Sequence, residues 1–144
     1  VVVNSAPIVE SVSLSTESFT VLDTVEVSWT AADADDHDLQ PTISWWVNDA
    51  QVDASGTTFD VATYAVRGDT IRASVTVDDG TVASEALASG SVDVSNAPPT
   101  APVVSMYPAA PTAEDSIACE LVTPSTDPDG DASGSVEGVT SSHA

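Results

Sequence analysis

Thr70-Ile71-Arg72-Ala73-Ser74-Val75-Thr76-Val77 decides the fold class of this chain. Ile71, Ala73, Val75 and Val77 fall at every second position, with polar residues between them. That is the period of a strand buried on one face; a helix would space its apolar residues by three and four. The same alternation recurs upstream. Val25, Val27 and Trp29 alternate with Thr24, Glu26 and Ser28, and Ile43, Trp45 and Val47 alternate with Thr42, Ser44 and the outward Trp46. Shorter runs lie at residues 8–15, 57–61 and 91–94, with a return run at Gln51-Val52. In the first run Ile8, Val12 and Leu14 share a side with Glu10, whose charge breaks the pattern. Turn residues separate the runs at Asn48-Asp49, Ser55-Gly56, Arg67-Gly68-Asp69 and Asp78-Asp79-Gly80-Thr81. Residues 82–90 read as a loop, and no segment reads as a helix. About seven short strands between such turns predict an all-β, antiparallel two-sheet sandwich of immunoglobulin-like type, with Trp29 and Trp45 in its core.

The opening of the chain returns near its two-thirds point. Ala6-Pro7 reappears as Ala97-Pro98, a period of 97 − 6 = 91 residues, close to the roughly 100 residues of one sandwich. Residues 1–5 therefore read as the last strand of a preceding module with its linker, and 6–95 as a complete module. Residues 96–102 read as a second linker, and 103–144 as an incomplete second module with a Gly- and Ser-rich tail. Glu114-Asp115-Ser116-Ile117-Ala118-Cys119-Glu120-Leu121 aligns with Leu22-Asp23-Thr24-Val25-Glu26-Val27-Ser28-Trp29. Asp127-Pro128-Asp129-Gly130-Asp131 aligns with the acidic stretch at residues 33–38. The window reads as part of a tandem array.

Lys and Arg number 2 against 23 Asp and Glu, a formal net charge of −21. Neutralising phosphates takes Lys and Arg, so this balance argues against nucleic acid and against anionic membrane surfaces as partners. No apolar run approaches the roughly 20 residues of a membrane-spanning helix, so no membrane insertion is expected. A surface this acidic draws divalent cations and suits a saline, extracellular or cell-surface setting. Cys119, His37 and His143 are too few and too scattered for a four-ligand zinc site. His37 has no nucleophile near it, Cys119 sits inward on a strand as a small hydrophobe, and no phosphate-binding loop appears. These features point away from an enzyme.

Calcium is the cofactor the residues favour. It takes six to eight oxygen ligands, chiefly carboxylate and carbonyl. Asp33, Asp35, Asp36 and Asp38 offer four carboxylates within six positions. In the expected sandwich the loop after the second strand, the turn at Asp78 and Asp79, and the incoming linker share one end. Those carboxylates then gather beside Asn4 and Glu10. The matching set in the second module is Asn96, Asp127, Asp129 and Asp131. The spacing is not that of the twelve-residue EF-hand loop. Arg67-Gly68-Asp69 spells an integrin-binding tripeptide but sits where the turn before a strand needs its glycine.

The Asn-Ala-Pro-Pro linker, the Asp-Pro-Asp-Gly-Asp loop, the central Trp and the Gly-Asp-Thr and Asp-Gly-Thr turns occur together and in order. Together they resemble the tandem immunoglobulin-like repeats, akin to PKD and cadherin-like modules, of large secreted and surface-anchored bacterial proteins. The resemblance implies a structural module of an extracellular stalk, adhesin or filament, with calcium at module junctions and with adjacent modules or copies as partners. It also implies a disulfide position between the second and sixth strands. Cys119 falls there in the second module, and Val27 and Ala73 fill it in the first. Two other functions stay open: a filament subunit completed by strands from a neighbouring chain, and a carbohydrate-binding module stacking polysaccharide on Trp46 and Tyr107.

Overall fold

The alternating stretches pair with one another as their period requires. The computed structural model describes residues 1–133 and 140–141; His143 and most of the Gly- and Ser-rich tail lie outside the described residues. The chain divides into two units, Val1–Asn96 and Ala97–Ala144.

The first unit holds β1 (Ile8–Leu14), β2 (Thr24–Ala32), β3 (Gln40–Val47), β4 (Ala50–Val52), β5 (Thr58–Asp60), the single turn α1 (Val61–Tyr64), β6 (Thr70–Asp78), β7 (Leu87–Ala88) and β8 (Val92–Asp93). One sheet runs β1-β2-β5; the other runs β4-β3-β6-β7, with β8 also on β6. Every pair is antiparallel. This is the expected all-β sandwich. Its longest ladder sets β3 on β6, from Gln40 opposite Asp78 to Val47 opposite Ile71. Residues directly opposite share a face. Trp45 therefore stands beside Ala73, whose small side chain leaves room for the indole. Trp45 is fully buried, its indole N–H donates to the Gly56 carbonyl at 3.0 Å, and its ring lies 4.8 Å from that of Phe59 in the facing sheet. Phe19, Val25, Val27, Val61, Ile71, Val75 and Val77 are buried with them.

Four local expectations are corrected. Glu10 is the extra residue of a β-bulge, since Val9 pairs with Ala31 and Ser11 with Thr30. The bulge shifts the side-chain phase: Val9 is buried while Ile8 is 65% exposed, so Ile8 does not share the core side with Val12 and Leu14. Trp29 is only half-buried, because it lies near the end of β2 beyond the main packing layer. Residues 61–64 form one helical turn, with the Ala65 N–H donating to the Val61 carbonyl at 2.9 Å. Residues 82–90 contain β7. Beyond it the buried Ser89 keeps the ladder to Ala73: its N–H donates to the Ala73 carbonyl and its hydroxyl accepts the Ala73 N–H. A hydroxyl replacing a main-chain carbonyl leaves no apolar alternation to read. Val1-Val2-Val3 belongs to no strand and is exposed, having no neighbour to pair with among the described residues.

The second unit has β9 (Val103–Tyr107), β10 (Ile117–Thr123) and β11 (Thr140–Ser141) in the order β11-β10-β9. Its register repeats that of the first. Leu121 lies opposite Val104 as Trp29 lies opposite Val12, and Cys119 opposite Met106 as Val27 opposite Leu14. The separation is 121 − 29 = 92 for β10 and 104 − 12 = 92 for β9. The corner before β2 repeats too. Thr20 N–H donates to the Asp23 carboxylate at 2.7 Å, and Thr112 N–H to Asp115 at 2.7 Å. The structural period is thus 92, and the Ala-Pro pairs 91 apart are one residue out of step.

Trp45→Ala should lower the unfolding free energy by about 3–5 kcal/mol, read by chemical denaturation, because it empties the largest fully buried side-chain volume of the core. Trp46→Ala, on the other face of the same strand, should cost well under half as much.

Candidate functional site

Carboxylates gather where β2 and β6 end. Past Ala32 the chain folds back over Asp33. The Asp33 carboxylate accepts the N–H of Asp35 at 2.8 Å and of His37 at 3.3 Å, and also faces His37 Nδ1 at 3.2 Å. Its side chain is only 2% exposed. Asp36 takes a positive φ of 54° in this turn, a conformation that short polar side chains tolerate better than others. Asp35 reaches out of the loop and accepts the Ser5 N–H at 2.6 Å. From the end of β6, Asp79 accepts the N–H groups of Thr81 and Val82 at 2.7 and 2.8 Å, and the side-chain amide of Asn4 at 2.8 Å. Gly80, at φ 89°, makes that turn possible. Two adjacent residues of the incoming segment are therefore each held by a carboxylate from a different loop.

The Asn4 amide holds the Asp79 carboxyl below its ordinary value. The N–H groups of Val82 and Thr81 and the nearby His37 act in the same direction, and partial burial acts against them. One ligand atom each from Asp33, Asp35 and His37 lies within 4.8 Å of the others. Of the carboxylates expected in the cluster, Asp33 and Asp35 come together and Asp79 joins through Asn4. Asp36 and Asp38 stay exposed; so does Asp78, whose carboxylate accepts the Gly80 N–H at 2.7 Å. Glu10 is exposed in the bulge. His37 is exposed on this loop, and its ring lies in the group with Asp33 and Asp35. Its position four residues after Asp33 was the available signal.

The second unit builds the same loop. Asp127 accepts the Asp129 N–H at 2.8 Å, as Asp33 accepts that of Asp35. Asp129 accepts the Ala97 N–H at 2.6 Å, as Asp35 accepts that of Ser5. Gly130, at φ 79°, stands where the first unit strains Asp36. Asp131 is exposed. Asp129 Oδ1 is buried with no hydrogen-bond partner. A buried anionic oxygen without a partner is costly, and a cation relieves that cost. The donor set is thus oxygen-rich and anionic, which fits a hard cation such as calcium better than zinc.

Other sequence candidates resolve differently. The Asp69 carboxylate accepts the Val66 N–H at 2.9 Å and the Asn48 side-chain amide at 2.7 Å, while Arg67 donates to Asn96 at 2.6 Å, so the Arg-Gly-Asp tripeptide is built into its turn. Arg72 lies 4.6 Å over the Trp46 ring, and the Trp46 N–H donates to Ser74. Tyr107 is 77% exposed on β9. Cys119 is a free, half-buried thiol; Val27 and Ala73, at the expected disulfide position of the first unit, are both buried. No family model, characterised protein or solved structure matches this chain.

Folding lowers the Asp79 pKa, so the stability its carboxylate contributes is complete above the ordinary value of 3.8 and is lost as pH falls below it. Asn4→Ala should lower stability at pH 7, and the gap to the unaltered protein should close as pH falls below 3.8 and Asp79 is protonated in both. Chemical denaturation followed by circular dichroism at neutral and at acid pH checks this, and a loss of equal size at both would contradict it.

Proposed function

We propose that this chain is a repeating structural module of an extracellular surface stalk, adhesin or filament, with calcium bound at the acidic pole where each module receives the incoming chain. One observation carries the reading: the same carboxylate clamp occurs twice. Asp35 holds the Ser5 N–H and Asp129 holds the Ala97 N–H, each supported by an aspartate two residues earlier. A repeated register supports an array in which each module depends mainly on itself and its neighbours. The clamp fixes the direction in which the chain enters a module, which a rigid spacer needs. Calcium would be held by Asp33 and Asp35 in the first unit and by Asp127 and Asp129 in the second, where it would neutralise crowded carboxylates. The filament reading rests on the exposed Val104 and Met106 of the second unit, whose counterparts Val12 and Leu14 are half-buried in the first. The polysaccharide reading is the weakest, since Arg72 occupies a face of Trp46 that a sugar ring would need.

A thermal melt tests the calcium site. At about 100 times its Kd, calcium should add about 2.7 kcal/mol to stability and raise Tm by roughly 10 °C. Asp33→Asn combined with Asp35→Asn should remove most of the rise in the first unit. A melt indifferent to millimolar calcium would refute the site.

A further inference from the structure

The two sheets of the first unit leave a seam where their edge strands run side by side. β1 is the edge of one sheet, and β7 with β8 forms the edge of the other. The Ser15 N–H donates to the Glu26 carbonyl, so by antiparallel alternation Ser11 and Ser13 also turn their main chain toward β2. The main-chain groups of Val12 and Leu14 face the other way. On the opposite side the Ser89 N–H donates to Ala73 and the Val94 N–H to Asp69, which leaves the main chain of Ala88 and Asp93 facing away from β6. Among the described residues, a single parallel bridge between Phe19 and Val94 closes one end of the seam.

Two hollows lie along it. One is lined by Pro7, Ile8, Val9, Ala83 and Leu87, the other by Val12, Leu14, Gly90 and Val92. Natural edges are usually blunted by lysine, proline or a bulge. Here neither strand carries Lys or Pro, and the bulge at Glu10 interrupts only one end of β1. The charges along the seam are all acidic: Glu85 lines the first hollow and Glu17 the second, with Glu10 and Asp93 on the flanking strands. The two arginines are engaged elsewhere, Arg67 on Asn96 and Arg72 on Trp46.

We propose that this seam binds an extended, lysine- or arginine-bearing segment of another polypeptide by strand addition along β1. Main-chain hydrogen bonds would give affinity, the alkyl hollows would take alternate small apolar side chains, and the acidic rim would select for cations. A second copy of this chain is a poor occupant, because two bodies of charge −21 repel.

The probe is a synthetic peptide of about nine residues alternating Lys and Val, set against one of equal charge with Pro at alternate Val positions. Binding is followed by amide chemical shifts at about 150 mM salt, where diffuse attraction is screened. The Lys-Val peptide should shift amides of residues 11–17 and 83–93 and bind at least about tenfold tighter than its proline counterpart. Glu17→Lys with Glu85→Lys should weaken it about tenfold while Tm stays unchanged. Equal binding of the two peptides, shifts centred on residues 33–38, no binding, or seam amides broadened by self-association without peptide would each overturn the proposal.

Discussion

The contact of Trp45 with Phe59 is the constraint on which the first unit depends. The two rings come from facing sheets, and the other fully buried side chains on the strands are valine, isoleucine or alanine, with Phe19 buried off the strands. Two thin layers of valine would slide; a large aromatic seated opposite Ala73 and anchored on the Gly56 carbonyl fixes where one sheet lies over the other. The extended ladder of β3 on β6 then sets the direction of both loops that leave its acidic end. The pole is a consequence of that register, since moving either strand by one residue would turn its buried set outward.

Much of the negative charge is managed by the main chain. Ion pairs join His37 to Asp33 and Arg72 to Asp49. Most carboxylates with visible partners accept main-chain N–H groups at turns instead: Asp23, Asp33, Asp35, Asp69, Asp78, Asp79, Asp115, Asp127 and Asp129 all do so. Aspartate suits this work because its short side chain reaches its own backbone two or three residues on. The acidic composition is therefore partly structural. Each such residue fixes a loop and leaves lone pairs free, since a carboxylate offers about four acceptor sites. A fold built this way carries a dense negative field that salt or divalent ions must temper.

The second unit shows which features travel together. The corner at Thr112 and Asp115, the pairing of β9 with β10 and the Asp127–Asp129 clamp all repeat, although few side chains are identical. What persists is the main-chain acceptor at each bend and the apolar residue at each inward position. The bulge moves from β1 to β10, between Leu121 and Thr123, so even an irregular feature is kept while its strand changes.

Period-two alternation made β2, β3 and β6 legible in the linear chain, and with them the all-β class, because a half-buried strand leaves a direct trace in side-chain polarity. Acidic loops and turn glycines were legible for the same local reason. Other features had no local trace. The Glu10 bulge depends on what Ala31 and Thr30 do across the sheet. The link from Ser89 to Ala73 substitutes a hydroxyl for a peptide group. The meeting of Asn4, Ser5, Asp33, Asp35, His37 and Asp79 joins residues up to 75 positions apart. Local pattern chose the strands; only the packing of two sheets decided which carboxylates stand together, because that depends on where separate strands end in space.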